Sequence, residues 1–477
     1  MVEIGENSEF DKLKNNLLRD SKHGSKIMDE KQLENIDVFC QEYKHFLDKG
    51  KTEREVVKES LVLSEKFGFK KFDHNINYKA GDKIYHVNKN KDIVFAVIGK
   101  NKTKNGVKVA VAHIDSPRLD LKPNPIYELN DIALFKTHYY GGIKKYQWFA
   151  IPLALHGTVF KKNGESVDIC IGESEEDPQF CVSDLLPHLG RERMKKSISE
   201  VFLGEDLNIL VGSRLLASEK GVVGSKNEIG LVKLNILKIL NENYGITETD
   251  FLSAELEVVP AFKARDLGFD RSMIGAYGHD DRVCAYVSLM GILNCEDVED
   301  TVITVLVDKE EVGSGGNTGM NSSFFRYFIE DLAKQDGVEA RHVLSNSKCF
   351  SMDVNAAFDP NFPSYYEINN SCHLNRGVVV TKYTGTGGKS GSSDASAEFM
   401  AQVRCLLDKN NVIWQTGELG KVDGGGGGTV AKFVANLNLE VVDVGVPVLS
   451  MHSPFEIVSK IDVYSAFLAS KAFFKNF

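Results

Sequence analysis

Two periodicities alternate along most of this chain: short β-branched runs that suit buried strands, and longer stretches with apolar residues three and four apart that suit helices. Thr52-Glu53-Arg54-Glu55 opens the first helix as a capping box, the Thr hydroxyl accepting from the backbone at Glu55 and that carboxylate reaching back to the Thr amide. Val56, Ser60, Leu63 and Phe67 carry the helical period and Gly68 stops it. Residues 92–99 and 107–112 are β-rich runs that read as neighbouring strands. From about 123 to about 252 the texture changes to strands and turns, through Gly157-Thr158-Val159-Phe160, and then to a helical segment at 227–243. After Leu256-Glu257-Val258-Val259 the alternation returns, with helices at 281–293, 322–334 and 463–473 and strands at 301–307, 378–381 and 439–444. The glycine run 424–428 is a tight turn before a helix at 429–437. This order predicts an α/β fold: a doubly wound, mostly parallel sheet built by residues 1–122 and 253–477, interrupted by a strand-rich, mixed α/β insert at 123–252. In such a sheet ligands sit at the carboxyl ends of strands.

Composition narrows the function classes. At 477 residues the chain exceeds the length at which one core stops growing, in keeping with two domains. Its net charge of -10 repels phosphate backbones, which argues against a nucleic-acid partner. No apolar stretch approaches the ~20 residues of a membrane helix, so no membrane partner is expected. Residues 1–16 are polar and mixed in charge, without a signal-peptide apolar region, so the expected compartment is the cytoplasm. Cys40, Cys170, Cys181, Cys284, Cys295, Cys349, Cys372 and Cys405 lack the close pairing of zinc-finger or redox motifs and are expected as reduced, mostly packed thiols.

Candidate chemistry gathers where apolar runs end. His113 closes Val107-Lys108-Val109-Ala110-Val111-Ala112, and Asp115 follows two positions later, placed to hold the imidazole in one orientation. The competing reading of His113 is a satisfied buried histidine. Glu310 and Glu311 follow Val305-Leu306-Val307-Asp308-Lys309; adjacent carboxylates at a strand end repel unless one holds a metal and the other a proton. Taken alone, Asp-Lys-Glu-Glu also reads as a solvated turn. Asp280, at a helix start, has the two oxygens that can bridge a pair of cations ~3.5–4 Å apart, while Asp281 is a candidate helix cap. Asp353 follows Cys349-Phe350-Ser351-Met352, and His452 follows Val448-Leu449-Ser450-Met451. Two imidazoles and three carboxylates, with one carboxylate to spare, form a mixed set suited to zinc, cobalt or manganese. Gly385-Thr386-Gly387-Gly388-Lys389-Ser390 is not a nucleotide loop, because Tyr383 stands where that motif needs its first Gly. No Gly-x-Ser-x-Gly elbow supports a serine hydrolase.

Taken in order, Thr52-Glu53-Arg54-Glu55, Ala112-His113-Ile114-Asp115-Ser116-Pro117, Tyr140-Gly141-Gly142, Asp308-Lys309-Glu310-Glu311-Val312-Gly313-Ser314 and Ser450-Met451-His452-Ser453 resemble the dinuclear zinc aminopeptidase family that includes aspartyl aminopeptidase and vacuolar-type aminopeptidase I. The resemblance runs nearly end to end. It implies a fold of the zinc exopeptidase type whose insert serves dimerisation and substrate access. It also implies two divalent ions, zinc first, with cobalt or manganese as alternatives: one held by His113, Asp280 and Asp353, the other by Asp280, Glu311 and His452. Glu310 would be the general base for a water activated by the two metals, Asp115 would support His113, and N-terminal amino acids would be released from peptides. His188, in Leu186-Pro187-His188-Leu189, is similar to a histidine that reaches a neighbour's site, and dimers would assemble into a tetrahedral dodecamer. Lys382 is a candidate contact for an acidic substrate side chain. Three departures, Ala356 in place of a frequent His, Asp281 after Asp280, and the run 424–428, leave the preference open between acidic and neutral or hydrophobic residues. The alternatives are an N-deacylase or carboxypeptidase on the same scaffold, and a non-catalytic, metal-braced assembly protein.

Overall fold

β-Branched runs build the centre of the molecule because both faces of the sheet are covered, and a strand buried on two sides needs no polar alternation. The computed structural model describes residues 13–14, 16–19, 23–218, 221–222 and 230–477. Most of the 1–16 segment, and residues 227–229 of the expected 227–243 helix, lie outside them.

Nine strands pair in the spatial order Lys70–Lys71, Lys83–Asn88, Asp92–Val97, Val302–Val307, Lys108–His113, Lys348–Ser351, Glu440–Gly445, Val378–Thr381, Trp414–Thr416. The four central strands from Val302–Val307 to Glu440–Gly445 are parallel, and antiparallel pairs occur towards both sides. One expectation fails here: Asp92–Val97 and Lys108–His113 are not neighbours, because Val302–Val307 lies between them. The connection spans the arriving chain, with Lys100 N–H donating to Val298 O (3.1 Å) and Asn101 N–H to Glu299 O (2.8 Å). Local pattern cannot reveal a partner some two hundred residues away.

Side chains of Lys108–His113 alternate between two cores. Ala110 and Ala112 join the core under helices Glu30–Lys49, His279–Leu293, Ala397–Lys409 and Lys460–Asn476. Val109 and Val111 join the one under Phe324–Asp336, Ala340–Asn346 and Ala431–Ala435. The sheet is therefore wound on both faces. The Thr52 capping box forms as expected, with Glu55 N–H donating to Thr52 Oγ1 (3.3 Å) and Thr52 N–H to Glu55 Oε2 (3.0 Å).

A second, six-stranded antiparallel sheet is ordered Ser166–Ile171, Leu153–Phe160, Ala254–Pro260, Arg118–Leu129, Ile132–Tyr140, Ile209–Gly212. Trp148, Leu153, Val258 and Phe251 are among its core residues, and the helix Leu231–Tyr244 packs beside it. A third sheet of five short strands, Arg265–Leu267, Met273–Ala276, Glu456–Ser459, Pro447–Leu449 and Asn355–Ala356, lies beyond the carboxyl ends of the main one. The glycine run is more than a turn: Gly426–Gly427 pairs with Gly385–Thr386 as a small ribbon, and the helix after it is Ala431–Ala435. Among the described residues, no helix is long and apolar enough to cross a membrane.

Candidate metal centre and its cleft

Strand ends deliver the polar residues to one place. His113 ends Lys108–His113, Glu310 and Glu311 follow Val302–Val307, and Asp353 follows Lys348–Ser351, so three parallel neighbours converge from the main sheet. Asp280 follows Met273–Ala276, and His452 sits in the turn joining Pro447–Leu449 to Glu456–Ser459; both come from the five-stranded sheet. A cleft of about 400 Å³ opens there, lined by Gly142, Asp280, Glu310, Glu311, Asp353 and His452. A larger hollow of about 790 Å³, lined by Lys108, Lys348 and Phe477 among others, lies at the amino ends of the strands and holds none of these residues.

Asp280 is the hub. Its Oδ1 stands 3.1 Å from His113 Nε2 and its Oδ2 3.2 Å from His452 Nε2, so each carboxylate oxygen faces a different imidazole. Asp353 Oδ1 is 3.9 Å and Glu310 Oε2 4.0 Å from His113 Nε2, while Glu311 Oε2 is 3.6 Å from His452 Nε2. Donor atoms of His113, Asp280 and Glu311, and again of His113, Glu310 and Asp353, lie within 4.8 Å of one another.

Asp115 is fully buried and fastens three elements. His113 Nδ1 is 3.0 Å from its carbonyl and 3.3 Å from its Oδ1. Its carboxylate accepts from the backbone N–H groups of Glu310 (3.1 Å) and Glu311 (3.2 Å) and from the Tyr140 hydroxyl (2.8 Å). The other imidazole is held comparably: His452 Nδ1 is 2.9 Å from Gly142 O, and the His452 and Asp280 backbone N–H groups both donate to buried Glu456, at 2.7 and 3.0 Å. These bonds keep His452 at a φ of 62°, a left-handed conformation costing an L-residue roughly 1–2 kcal/mol. Tyr140, Gly142 and Glu456 had no role assigned from the sequence. Tyr140-Gly141-Gly142 stood out only as a motif, and Glu456, inside the apolar stretch Phe455-Glu456-Ile457-Val458, was the available signal for a buried, partnered acid.

Burial and mutual repulsion set the electrostatics of the cluster. Burial drives the carboxyls of Glu311 and Asp353 well above their usual range, with Asp280 and Asp281 respectively adding to it, and pushes Glu310 up to about 7. Burial would raise Asp280 too, but its hydrogen bonds to His113 and His452 outweigh that and hold it low. Burial lowers both imidazoles, yet the acids beside them win: His113 is raised well above 6.5 by Asp115 and Asp280, and His452 to about 10, chiefly by Asp280. Buried Glu311 Oε1 has no hydrogen-bond partner. Such an orphaned carboxylate oxygen, beside two imidazoles whose remote nitrogens are already oriented, fits divalent cations.

One expected substrate contact lies elsewhere. Lys382 forms an ion pair with Asp394 at 2.6 Å and does not line the cleft, whereas Lys389 and Lys421 do. His188, expected to reach a neighbour's site, is exposed and off this chain's own cleft wall. Ala356 lies on the short strand Asn355–Ala356, whose Asn355 lines the cleft.

The pattern of the family described as aminopeptidase I zinc metalloprotease (M18) matches residues 46–474. The chain belongs to this family. It is therefore a zinc metalloaminopeptidase by family, a hydrolase acting on peptides. A Clostridium acetobutylicum protein described as a probable M18 family aminopeptidase 1 is 49% identical over 470 residues, spanning 97% of this chain and all of the relative. The crystal structure of an M18 aminopeptidase from Thermotoga maritima is similar with a TM-score of 0.91 and 44% identity, covering 96% of this chain and 100% of that one. The mApe1 dodecamer of S. cerevisiae shares the M18 fold at 21% identity and a TM-score of 0.74, over 93% of this chain and 97% of that one.

Proposed function

We propose that the cleft removes N-terminal residues from peptides with a pair of divalent cations, zinc first. His113, Asp280 and Asp353 would hold one, and Asp280, Glu311 and His452 the other. The observation that carries this reading is Asp280, whose two oxygens face two imidazoles 3.1 and 3.2 Å away. Bound there, the cations would polarise the scissile carbonyl, acidify a water and anchor the free α-amino group.

The remaining work falls to the chain. Glu310 is the more exposed of the two adjacent glutamates, at 18% against 3%, and so is the one placed to meet water and substrate. Its carboxylate takes a proton from the attacking water and passes it to the leaving amine. Asp115 acts through His113 and through the backbone of Glu310 and Glu311, fixing where the base points. N-terminal preference falls in the acidic or neutral-to-hydrophobic range: Lys421 brings positive charge to a cleft wall of glycines and carboxylates, while Lys389, also on that wall, is paired with Asp394 at 3.0 Å.

Residues 123–252 serve as the insert that pairs subunits, with a dodecamer as the final assembly and the cytoplasm as its compartment. In support, Leu185, Leu186, Leu189, Met194 and Ile198 are exposed along one stretch of that insert, and the yeast relative of the same fold is a dodecamer.

Replacing Glu310 by Gln is the deciding experiment. General-base loss is worth about 10²–10⁴-fold, so kcat on an unblocked peptide should fall by at least 100-fold while metal content stays at wild-type level. An undiminished rate would remove Glu310 from its role. Chelation should abolish activity, single-metal add-back should restore it, and N-acetylation of the substrate should block cleavage. Cleavage of the acetylated peptide would favour the deacylase alternative.

A further inference from the structure

Away from the cleft, a second group of side chains has the donor types of a cation site. Glu55, His156 and Cys170 present a carboxylate oxygen, an imidazole nitrogen and a thiol sulfur that lie within 4.8 Å of one another. They come from two parts of the fold. Glu55 is in the first turn of the helix Glu53–Lys66, whereas His156 and Cys170 are directly opposite each other on the antiparallel strands Leu153–Phe160 and Ser166–Ile171.

Two of the three donors are already oriented. Glu55 Oε2 accepts from the backbone N–H groups of Lys51 and Thr52, both at 3.0 Å, which leaves Oε1 aimed at His156 Nδ1 at 2.7 Å. On the other side of the ring, His156 Nε2–H donates to Glu173 Oε1 at 3.0 Å, and Lys51 and Lys263 pin Glu173. A carboxylate on the remote ring nitrogen is the arrangement that orients imidazole ligands in metal sites. His156 is buried and Cys170 exposed, and a cleft of about 370 Å³ lined by Glu55, Thr158, Asp168 and Cys170 leads in from solvent.

We propose that Glu55, His156 and Cys170 form a separate divalent-cation site of the zinc class, which ties the helix Glu53–Lys66 to the six-stranded sheet. Thiolate with imidazole selects zinc or its neighbours, because magnesium and calcium take oxygen donors. Binding exchanges two protons for one cation: the Cys170 thiol proton and the Nδ1 proton shared with Glu55 leave, and Nε2–H stays on Glu173. Bond lengths of about 2.0–2.3 Å separate tetrahedral donors by roughly 3.3–3.8 Å. Glu55 Oε1 therefore draws back from Nδ1 by about half an ångström, a side-chain adjustment. Water from the cleft fills the fourth position.

Cobalt(II) separates this site from the peptidase cleft, whose assigned metal-holding residues include no thiol, because a cobalt–thiolate bond adds a charge-transfer absorption in the near ultraviolet. Chelator-stripped full-length protein titrated with cobalt(II) is expected to develop that band and to lose it on addition of excess zinc. C170S, at an exposed position, is expected to fold and hydrolyse peptides as the wild type does, to lack the band, and to bind one metal fewer per chain by elemental analysis. H156Q should match C170S in band and metal count. A wild type without the band, or a C170S protein that keeps both band and metal count, overturns the proposal and leaves Glu55–His156–Glu173 as a proton-bridged clamp.

Discussion

Asp92 carries a pH dependence that can be read out apart from catalysis. It sits on the buried strand Asp92–Val97 with Oδ1 unpartnered. Burial pushes its carboxyl up to about 8, the Asn88 amide opposing and Asp308 adding. The folded chain thus keeps this proton up to about pH 8, whereas the unfolded chain gives it up near pH ~4. Between those values the unfolded state is increasingly favoured as pH rises, so this residue's contribution to stability is fully present below about pH 4 and is lost by about pH 8. D92N removes the titration. Its Tm should exceed that of the wild type at pH 8–9, with the gap closing as pH falls towards 4; a gap independent of pH would contradict this. The metal-type residues stood out in the sequence because nearly every one closes an apolar run, and the structure gathers them around one cleft. Their supports were harder to see. Tyr140 and Glu456 hold groups many residues away, and Lys382 turns to Asp394, a pairing set by how two loops meet rather than by spacing.

Elements that carry their own ending signals were legible, and elements defined by a distant partner were not. The Thr52 capping box is a four-residue agreement between side chains and backbone, so sequence alone displays it. The place of Val302–Val307 between Asp92–Val97 and Lys108–His113 depends on a crossover that no local pattern encodes. The segment Tyr140-Gly141-Gly142 shows how the second sheet serves the cleft: it sends a hydroxyl to Asp115 and a carbonyl to His452. A Cβ added at Gly142 would stand 3.2 Å from His452 Nδ1. G142A should therefore push that ring off its carbonyl and, as for losses of a ligand's outer partner, weaken metal affinity or activity by about 10–100-fold. Metal titration of the variant followed by calorimetry would check it; wild-type affinity and rate would show that the ring tolerates displacement.

At the scale of the whole molecule, the exposed apolar residues of the insert are the best handle on assembly. Leu186 and Leu189 are 49% and 69% exposed in the single chain, and burial of a leucine side chain is worth about 1.5–3 kcal/mol. L186E/L189E should shift the sedimentation profile towards smaller species while chelation still abolishes whatever activity remains. An unchanged profile would place the subunit contact elsewhere. The α/β class and the doubly wound sheet were legible because alternating run lengths dictate layers. The five-stranded sheet was not, since its strands are three or four residues long, or two in Asn355–Ala356, and pair across distant parts of the chain, as Met273–Ala276 does with Glu456–Ser459.

The chain order of the centre has a bearing on biosynthesis. His113 leaves the ribosome long before His452, whose imidazole meets a carbonyl from position 142 and whose backbone N–H donates to a carboxylate from position 456. A chain arrested before position 452 would carry His113 and Asp280 without the second imidazole that Asp280 faces, so the proposed centre is completed only when that turn has been made.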